Sequence, residues 1–338
     1  MVRAGASVAA LAGAIGATSW QAIRAAVARI EANPDPYPRE RLAREPEGEE
    51  VLINGSDGTV LRAISAGEGP AVVLAHGFGV TAAEWNLVWD ALVERGHRVI
   101  AFDQRGHGRS TLGSDGSGSA AMAGDYVAVL EHFEVRDGVL VGHSMGGFVA
   151  IRAVLDHPDL AQRLCGLILF ATWAGRIQDG APLNRLQMPL LQSGLLQKLV
   201  RTKTVGTLFG AAQCGTRPSP AMISVFQEVF AQQDHQALLP IARAFVREDH
   251  YPRLGEIQVP TVVIVGAADR TTPRGHAERL AAGVPGARLI TVPEAGHLLN
   301  WEADGPAVLL ETIESFQPNP RAARPSHQRD AGCGGQAR

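Results

Sequence analysis

Cysteine is scarce in this chain. Its 338 residues include three, Cys165, Cys214 and Cys333. That is too few for a disulfide framework, and the odd number leaves one unpaired. No Cys and His spacing fits a zinc site, so no metal is expected. A large excess of one charge is also lacking. Lys and Arg total 31 against 34 Asp and Glu, a formal net charge of −3. No broad basic surface follows from that balance, which argues against nucleic acid as a partner. The one long uncharged stretch lacks large side chains. Ala4 to Ile23 has about the length that spans a bilayer, but it is mostly Ala, Gly and Ser, so its drive to insert is weak. Three readings of residues 1–32 stay open: a signal peptide with small residues around Ala17, a membrane anchor, or a surface helix running on to Glu31. Membrane association and the compartment (cytoplasmic, membrane-associated or exported) turn on that segment.

What is present is a regular alternation. Residues 33–49 are rich in proline and charge and read as an exposed linker. "EVLINGSDGTVLRAIS" reads as a hairpin turning at Asp57-Gly58. "PAVVLAHG", "RVIAFD", "GVLVGH", "GLILFAT", "TVVIVG" and "RLITV" are short apolar runs, as expected of strands covered on both faces. Helical spacing separates them, as in Trp85, Val88, Trp89, Leu92 and Val93 after a Thr81/Glu84 capping box. Further helices are expected near 119–133, from Met145 to Pro158, near 273–282 and over 305–316. Strands alternating with helices give an α/β fold with a mainly parallel sheet and helices on both faces. Residues 176–258 interrupt the rhythm with three apolar-faced helical patterns, around Leu190–Val200, Met222–Phe230 and Leu238–Phe245. This insert reads as a helical cap over the active end of the sheet, with an oligomerisation surface as the alternative. The tail 318–338 has a composition expected to be disordered.

The chemistry centres on Gly142-His143-Ser144-Met145-Gly146. G-x-S-x-G alone is weak evidence, but here it follows an apolar strand and opens an apolar-periodic helix, as a nucleophile elbow requires. Side chains two positions either side of the serine would collide in so tight a turn, hence Gly142 and Gly146. His143 is a poor base for Ser144, because neighbouring residues in extended chain face opposite ways; it is expected to be a packed histidine. His297 lies just after the last strand, at the carboxyl edge where ligands bind in such sheets. Asp269 occupies the same kind of position after the preceding strand and can orient the imidazole, in the chain order Ser…Asp…His. Glu294 shares the loop of His297 and ranks below Asp269. Oxyanion donors are expected from the backbone N–H of Met145 and of Phe78, in a loop that Gly77 and Gly79 allow to bend closely.

"HGFG", "FDQRGHGRS", "GHSMGG", "GAADRTTP" and "AGHLLNWE" resemble the α/β-hydrolase family, in family order, across residues 50–317. The resemblance implies an eight-stranded, mostly parallel sheet, a cap after the sixth strand, and a triad of Ser144, Asp269 and His297. It also implies that Asp103 and Arg105 brace loops near the site. It implies no cofactor.

Family membership does not name a substrate. Serine at the elbow argues against epoxide opening and halide displacement, for which relatives use aspartate. It points to attack on a carbonyl. The insert is rich in Leu, Met and Phe, so a hydrophobic small-molecule ester is the expected substrate. Lipase-like or general carboxylesterase action comes first, and a cofactor-free haloperoxidase-like perhydrolase second. A C–C bond hydrolase should aim an insert arginine at a substrate carboxylate, with Arg176, Arg185, Arg201, Arg243 and Arg247 as candidates. A non-catalytic ligand-binding module is the reading outside enzymes.

Overall fold

A computed structural model of the protein describes residues 20–302 and 304–316. The expectations for residues 1–19, for the tail 318–338 and for Cys333 fall outside those bounds. Residues 20–31 are helical (α1). Among the described residues no helix is long and apolar enough to cross a membrane.

Eight strands form one sheet: β1 (Glu49–Asn54), β2 (Val60–Ala66), β3 (Ala71–Ala75), β4 (Arg98–Phe102), β5 (Gly138–His143), β6 (Leu164–Phe170), β7 (Thr261–Gly266) and β8 (Arg288–Val292). Their spatial order is β1-β2-β4-β3-β5-β6-β7-β8. Strand β2 runs antiparallel to β1 and β4, and the other pairings are parallel. The β1–β2 hairpin turns where expected, with Gly58 at φ +82°, a conformation open to glycine at little cost.

Strands β3, β5 and β7 are buried at every position, which explains their largely apolar sequences, with His143 and Thr261 as the polar exceptions at strand ends. Alternate residues serve opposite layers. Val73 and Ala75 join Phe148 and Val149 of α5 (Met145–Asp156) and Leu130 of α4 (Ser119–His132). Val72 and Leu74 join Trp89 and Leu92 of α3 (Asn86–Glu94) and Ile313 of α13 (Gly305–Ser315). Each such fully buried side chain is worth about 1.5–3 kcal/mol of apolar transfer. Past Asp156 the chain makes one more short helix, α6 (Pro158–Ala161), with Pro158 in its first turn, where no N–H is needed.

Two expectations are refined. Residues 33–49 are largely exposed, yet they also dock on the domain as a strap. They contain α2 (Arg39–Ala43), whose Leu42 is buried. The Asn86 amide donates to the Arg41 and Leu42 carbonyls, and the Trp89 indole N–H donates to the Glu47 carbonyl. Proline and charge do not stop a segment from forming a short helix or from docking. The insert between β6 and β7 has five α-helices, α7 (Pro182–Gln192), α8 (Leu195–Val200), α9 (Lys203–Gln213), α10 (Pro220–Gln232) and α11 (Leu239–Arg247), and a short 3₁₀ helix at Tyr251–Glu256, rather than three helices. The pattern at Leu190–Val200 breaks at Gly194, which takes φ +71°. The remaining helix, α12 (Arg274–Gly283), lies between β7 and β8.

Candidate active site

The elbow follows directly from the parallel sheet. Strand β5 ends at His143, helix α5 begins at Met145, and Ser144 alone makes the turn at φ +51°, ψ −117°. A non-glycine residue there is strained. The turn is close enough that a Cβ on Gly142 would lie 2.5 Å from the Gly147 Cα. One on Gly146 would run into the Ala75 carbonyl. Both positions therefore need glycine. Ser144 stands at the N-terminus of α5, where exposed amides favour developing negative charge.

The loops after β7 and β8 bring Asp269 and His297 to the same place. The Ser144 hydroxyl lies 2.8 Å from His297 Nε2. His297 Nδ1 donates to Asp269 Oδ2 at 2.9 Å. Asp269 also accepts from the Thr271 and Thr272 amides and the Thr272 hydroxyl, each at 2.8 Å. Burial works against charge on Asp269, but the adjacent imidazole and these donors outweigh it and hold the carboxyl below its ordinary value. The Nδ1 proton is thus fixed toward Asp269, leaving Nε2 free to take a proton from the serine. All three side chains are buried.

Phe78 lies in the loop after β3, lines the same cavity as Ser144, and is followed by Gly79 at φ +73°. Met145 opens α5. Among the described residues neither Phe78 N–H nor Met145 N–H has an intramolecular acceptor. The exposed Glu294 carboxylate pairs with Arg217 at 2.7 Å. Arg105 forms ion pairs with Asp57 and Asp125, while Asp103 accepts from the Ala82 and Arg109 amides. Both tie loops together below the site.

The cavity above Ser144 is apolar. Trp173 and Ile177 line it, together with Met188, Leu191, Leu196, Phe226, Phe230 and Phe245 of the insert. Its polar edge is Asn184, Gln187, Gln213 and Thr271, with Glu84 and His143 reaching it beside Ser144 and His297. No lysine or arginine lines it among the described residues. Arg176, Arg185, Arg201, Arg243 and Arg247 are all exposed. No cluster that could hold a metal occurs among the described residues.

Two residues at the site escape sequence reasoning. Gln213, the last residue of α9, accepts from the His297 N–H at 2.7 Å and from the Leu298 N–H at 3.2 Å. Its side-chain oxygen also accepts from the Thr271 hydroxyl, so the insert is fastened to both loops. Glu84 does not complete a capping box. The Thr81 hydroxyl accepts from Ala83 N–H as expected, but the Glu84 carboxylate turns inward to Gly77 and His143. A local rule found the turn; the partner is 59 residues away in sequence.

A family model, the alpha/beta hydrolase family, matches residues 72–311. The chain belongs to the alpha/beta hydrolase family. It is 32% identical over 268 residues to a 2-hydroxy-6-oxononadienedioate/2-hydroxy-6-oxononatrienedioate hydrolase of Paraburkholderia xenovorans, covering 75% of this chain and 89% of that one. It is 30% identical over 275 residues to a non-heme haloperoxidase of Rhodococcus erythropolis, covering 78% and 99%. An esterase structure from Exiguobacterium antarcticum superposes with a TM-score of 0.71 at 26% identity, covering 79% of this chain and 100% of that chain.

Proposed function

We propose that the protein hydrolyses uncharged carboxylic esters with a hydrophobic acyl or alcohol group, through an acyl-enzyme on Ser144. The observation that carries this reading is the serine–imidazole–carboxylate chain of hydrogen bonds at the base of a mainly apolar cavity lined by no lysine or arginine among the described residues. Ser144 Oγ attacks the ester carbonyl carbon while His297 Nε2 takes its proton. The carbonyl oxygen becomes an oxyanion, received by the Phe78 and Met145 amides. The C–O bond to the alcohol breaks as His297 returns the proton to the leaving oxygen. Water, deprotonated by His297, then attacks the acyl carbon and frees the acid and Ser144. Asp269 keeps the imidazole in one tautomer and stabilises its cation. The insert acts as the cap: its apolar side chains bind the hydrophobic part of the substrate and exclude water.

The relatives bear on the choice. A dioate substrate, as in the name of the Paraburkholderia hydrolase, carries two carboxylates, and a buried carboxylate needs a paired cation. The five insert arginines are exposed, and no lysine or arginine lines the cavity among the described residues, which favours the ester over the C–C bond. The haloperoxidase relative supports one variation, in which hydrogen peroxide replaces water in the second step and yields a peracid. The test is turnover of p-nitrophenyl esters from acetate to about eight carbons or longer. Ser144→Ala should lower kcat by about 10⁴-fold or more. No turnover with any chain length, or turnover that survives Ser144→Ala, sinks the proposal. Monitoring peracid with and without peroxide separates the variation from plain hydrolysis.

A further inference from the structure

One buried acid–base pair beside the site takes no part in the steps above. His143, the last residue of β5, sits with both ring nitrogens against oxygen. Nδ1 lies 3.1 and 3.2 Å from the two Glu84 carboxylate oxygens. Nε2 lies 3.0 Å from the main-chain carbonyl of His297. A neutral imidazole has one N–H and one lone pair. A lone pair on Nε2 would face the His297 carbonyl, which only accepts, so Nε2 carries a proton; the proton shared by Nδ1 and Glu84 goes to the imidazole, the stronger base of the two. The side chains of His143 and Glu84 are each 3% exposed.

We infer that His143 is a doubly protonated imidazolium paired with Glu84, and that the pair positions His297 and the Phe78 loop for the reaction. The inference rests on the hydrolase reading for its consequence, but not for its charge state. Three parts of the site meet on the pair. Glu84 Oε1 accepts from the Gly77 N–H at 3.0 Å, fixing the residue before Phe78. His143 Nε2–H holds the His297 carbonyl. The Glu84 carbonyl accepts from Asn300 Nδ2 at 2.8 Å and Trp301 Nε1 at 2.9 Å, gripping the chain just past His297. The approach is tight: a Cβ on Gly77 would lie 3.0 Å from His143 Nδ1.

The surroundings agree. Burial opposes charge on His143, yet Glu84 outweighs it and holds the ring above the ordinary histidine value. The other titratable groups facing it are His297, with ring centroids 5.1 Å apart, Asp269 and His76. Trp85 and Phe170 close the remaining sides. Neither Glu84 nor His143 reacts with substrate. They act through the backbone of the residues that do.

The direct test is nitrogen NMR of the full-length protein with ¹⁵N-labelled histidine, the His143 signals being assigned by their loss in His143→Gln. At pH 7.5 both nitrogens should carry protons. A His143 with one unprotonated nitrogen overturns the inference, whatever the activity. The kinetic arm uses Glu84→Gln. It should lower kcat about 10- to 100-fold, the scale of a small misplacement of reacting groups, with KM changed little. It should also move the alkaline fall of kcat to lower pH, because His143 then loses its proton more readily. The double variant Glu84→Gln/His143→Gln, a neutral amide pair, should recover part of kcat and lose the shifted limb. A Glu84→Gln profile that coincides with wild type overturns the positioning role. Wild-type turnover in the same assay reports separately on Ser144, so failure of the hydrolase reading leaves the nitrogen spectrum to decide the pair.

Discussion

Two histidines sit side by side at this site, and each is tied to a buried carboxylate. His297 donates Nδ1–H to Asp269, and His143 faces Glu84 through the same nitrogen. They part at the other nitrogen. His297 Nε2 meets a hydroxyl, which can give up a proton. His143 Nε2 meets a carbonyl, which can only accept one. In the proposed reaction the first arrangement serves as a base and the second as a clamp. A third buried histidine completes the contrast. His76 has no carboxylate; it contacts the Gly77 carbonyl and the Gln104 N–H. Burial then prevails and lowers it to about 4. The partner, not the residue type, sets the role.

The largest expected effect breaks the comparison into its halves. His297→Gln should lower kcat by about 10⁴-fold, whereas His143→Gln, which still offers a donor to the carbonyl, should lose no more than about 10²-fold. Equal losses would mean that the two rings share one role. Asp269→Asn should come next, at about 10³–10⁴-fold in kcat, because the amide can hold the imidazole in the wrong tautomer. Steady-state kinetics on one chromogenic ester reads both. A smaller effect concerns the cavity. An ester whose acyl chain ends in a carboxylate should show kcat/KM lower by about 10²-fold than its methyl-ended isostere, since a charge buried without a partner costs a few kcal/mol. Near-equal values would reveal a cation free to pair with the carboxylate, since the lining has no lysine or arginine among the described residues and His143 is already paired with Glu84.

The smallest effect uses pH and stability. His76 has a folded value below its ordinary 6.5, so the unfolded chain binds the extra proton. The His76 contribution is complete above pH 6.5 and is lost as pH falls toward 4. His143 has the opposite sign. Its contribution is present below 6.5 and lost as pH rises through its raised value. His76→Gln should flatten the acid side of a plot of Tm against pH by roughly 2–4 °C, and Glu84→Gln the alkaline side. An acid limb unchanged in His76→Gln would show that His76 is not held neutral in the fold.

Sheet and insert differ in how far they can be read from sequence. Strands β3, β5 and β7 are mainly apolar because helices cover both faces, and their runs and the turns between them suffice. The elbow is equally legible, since its glycines answer a local collision. Helix α9 is not. "KTVGTLFGAAQ" carries Gly206 and Gly210, which lower helix propensity. A Cβ at Gly210 would lie 2.8 Å from Ile223 Cγ2, and one at Gly206 would collide with Gln227. The glycines are there so that α9 can lie close against α10, a tertiary reason invisible in a local window. Glu84 was hidden for the same kind of reason. A local rule accounted for it, while its carboxylate serves partners brought near only by the fold. Asp269 and His297 were accessible because a parallel sheet sends the ends of its strands to one edge.

The central claim is that Ser144 forms a covalent acyl intermediate with His297 as its base. Intact-protein mass spectrometry after reaction with a p-nitrophenyl alkylphosphonate tests this without a known substrate. One phosphonyl group per chain should be found, on the peptide that carries Ser144, fast in wild type, slowed at least 10²-fold in His297→Gln and absent in Ser144→Ala. A chain that stays unlabelled, or one labelled equally well in Ser144→Ala, contradicts it.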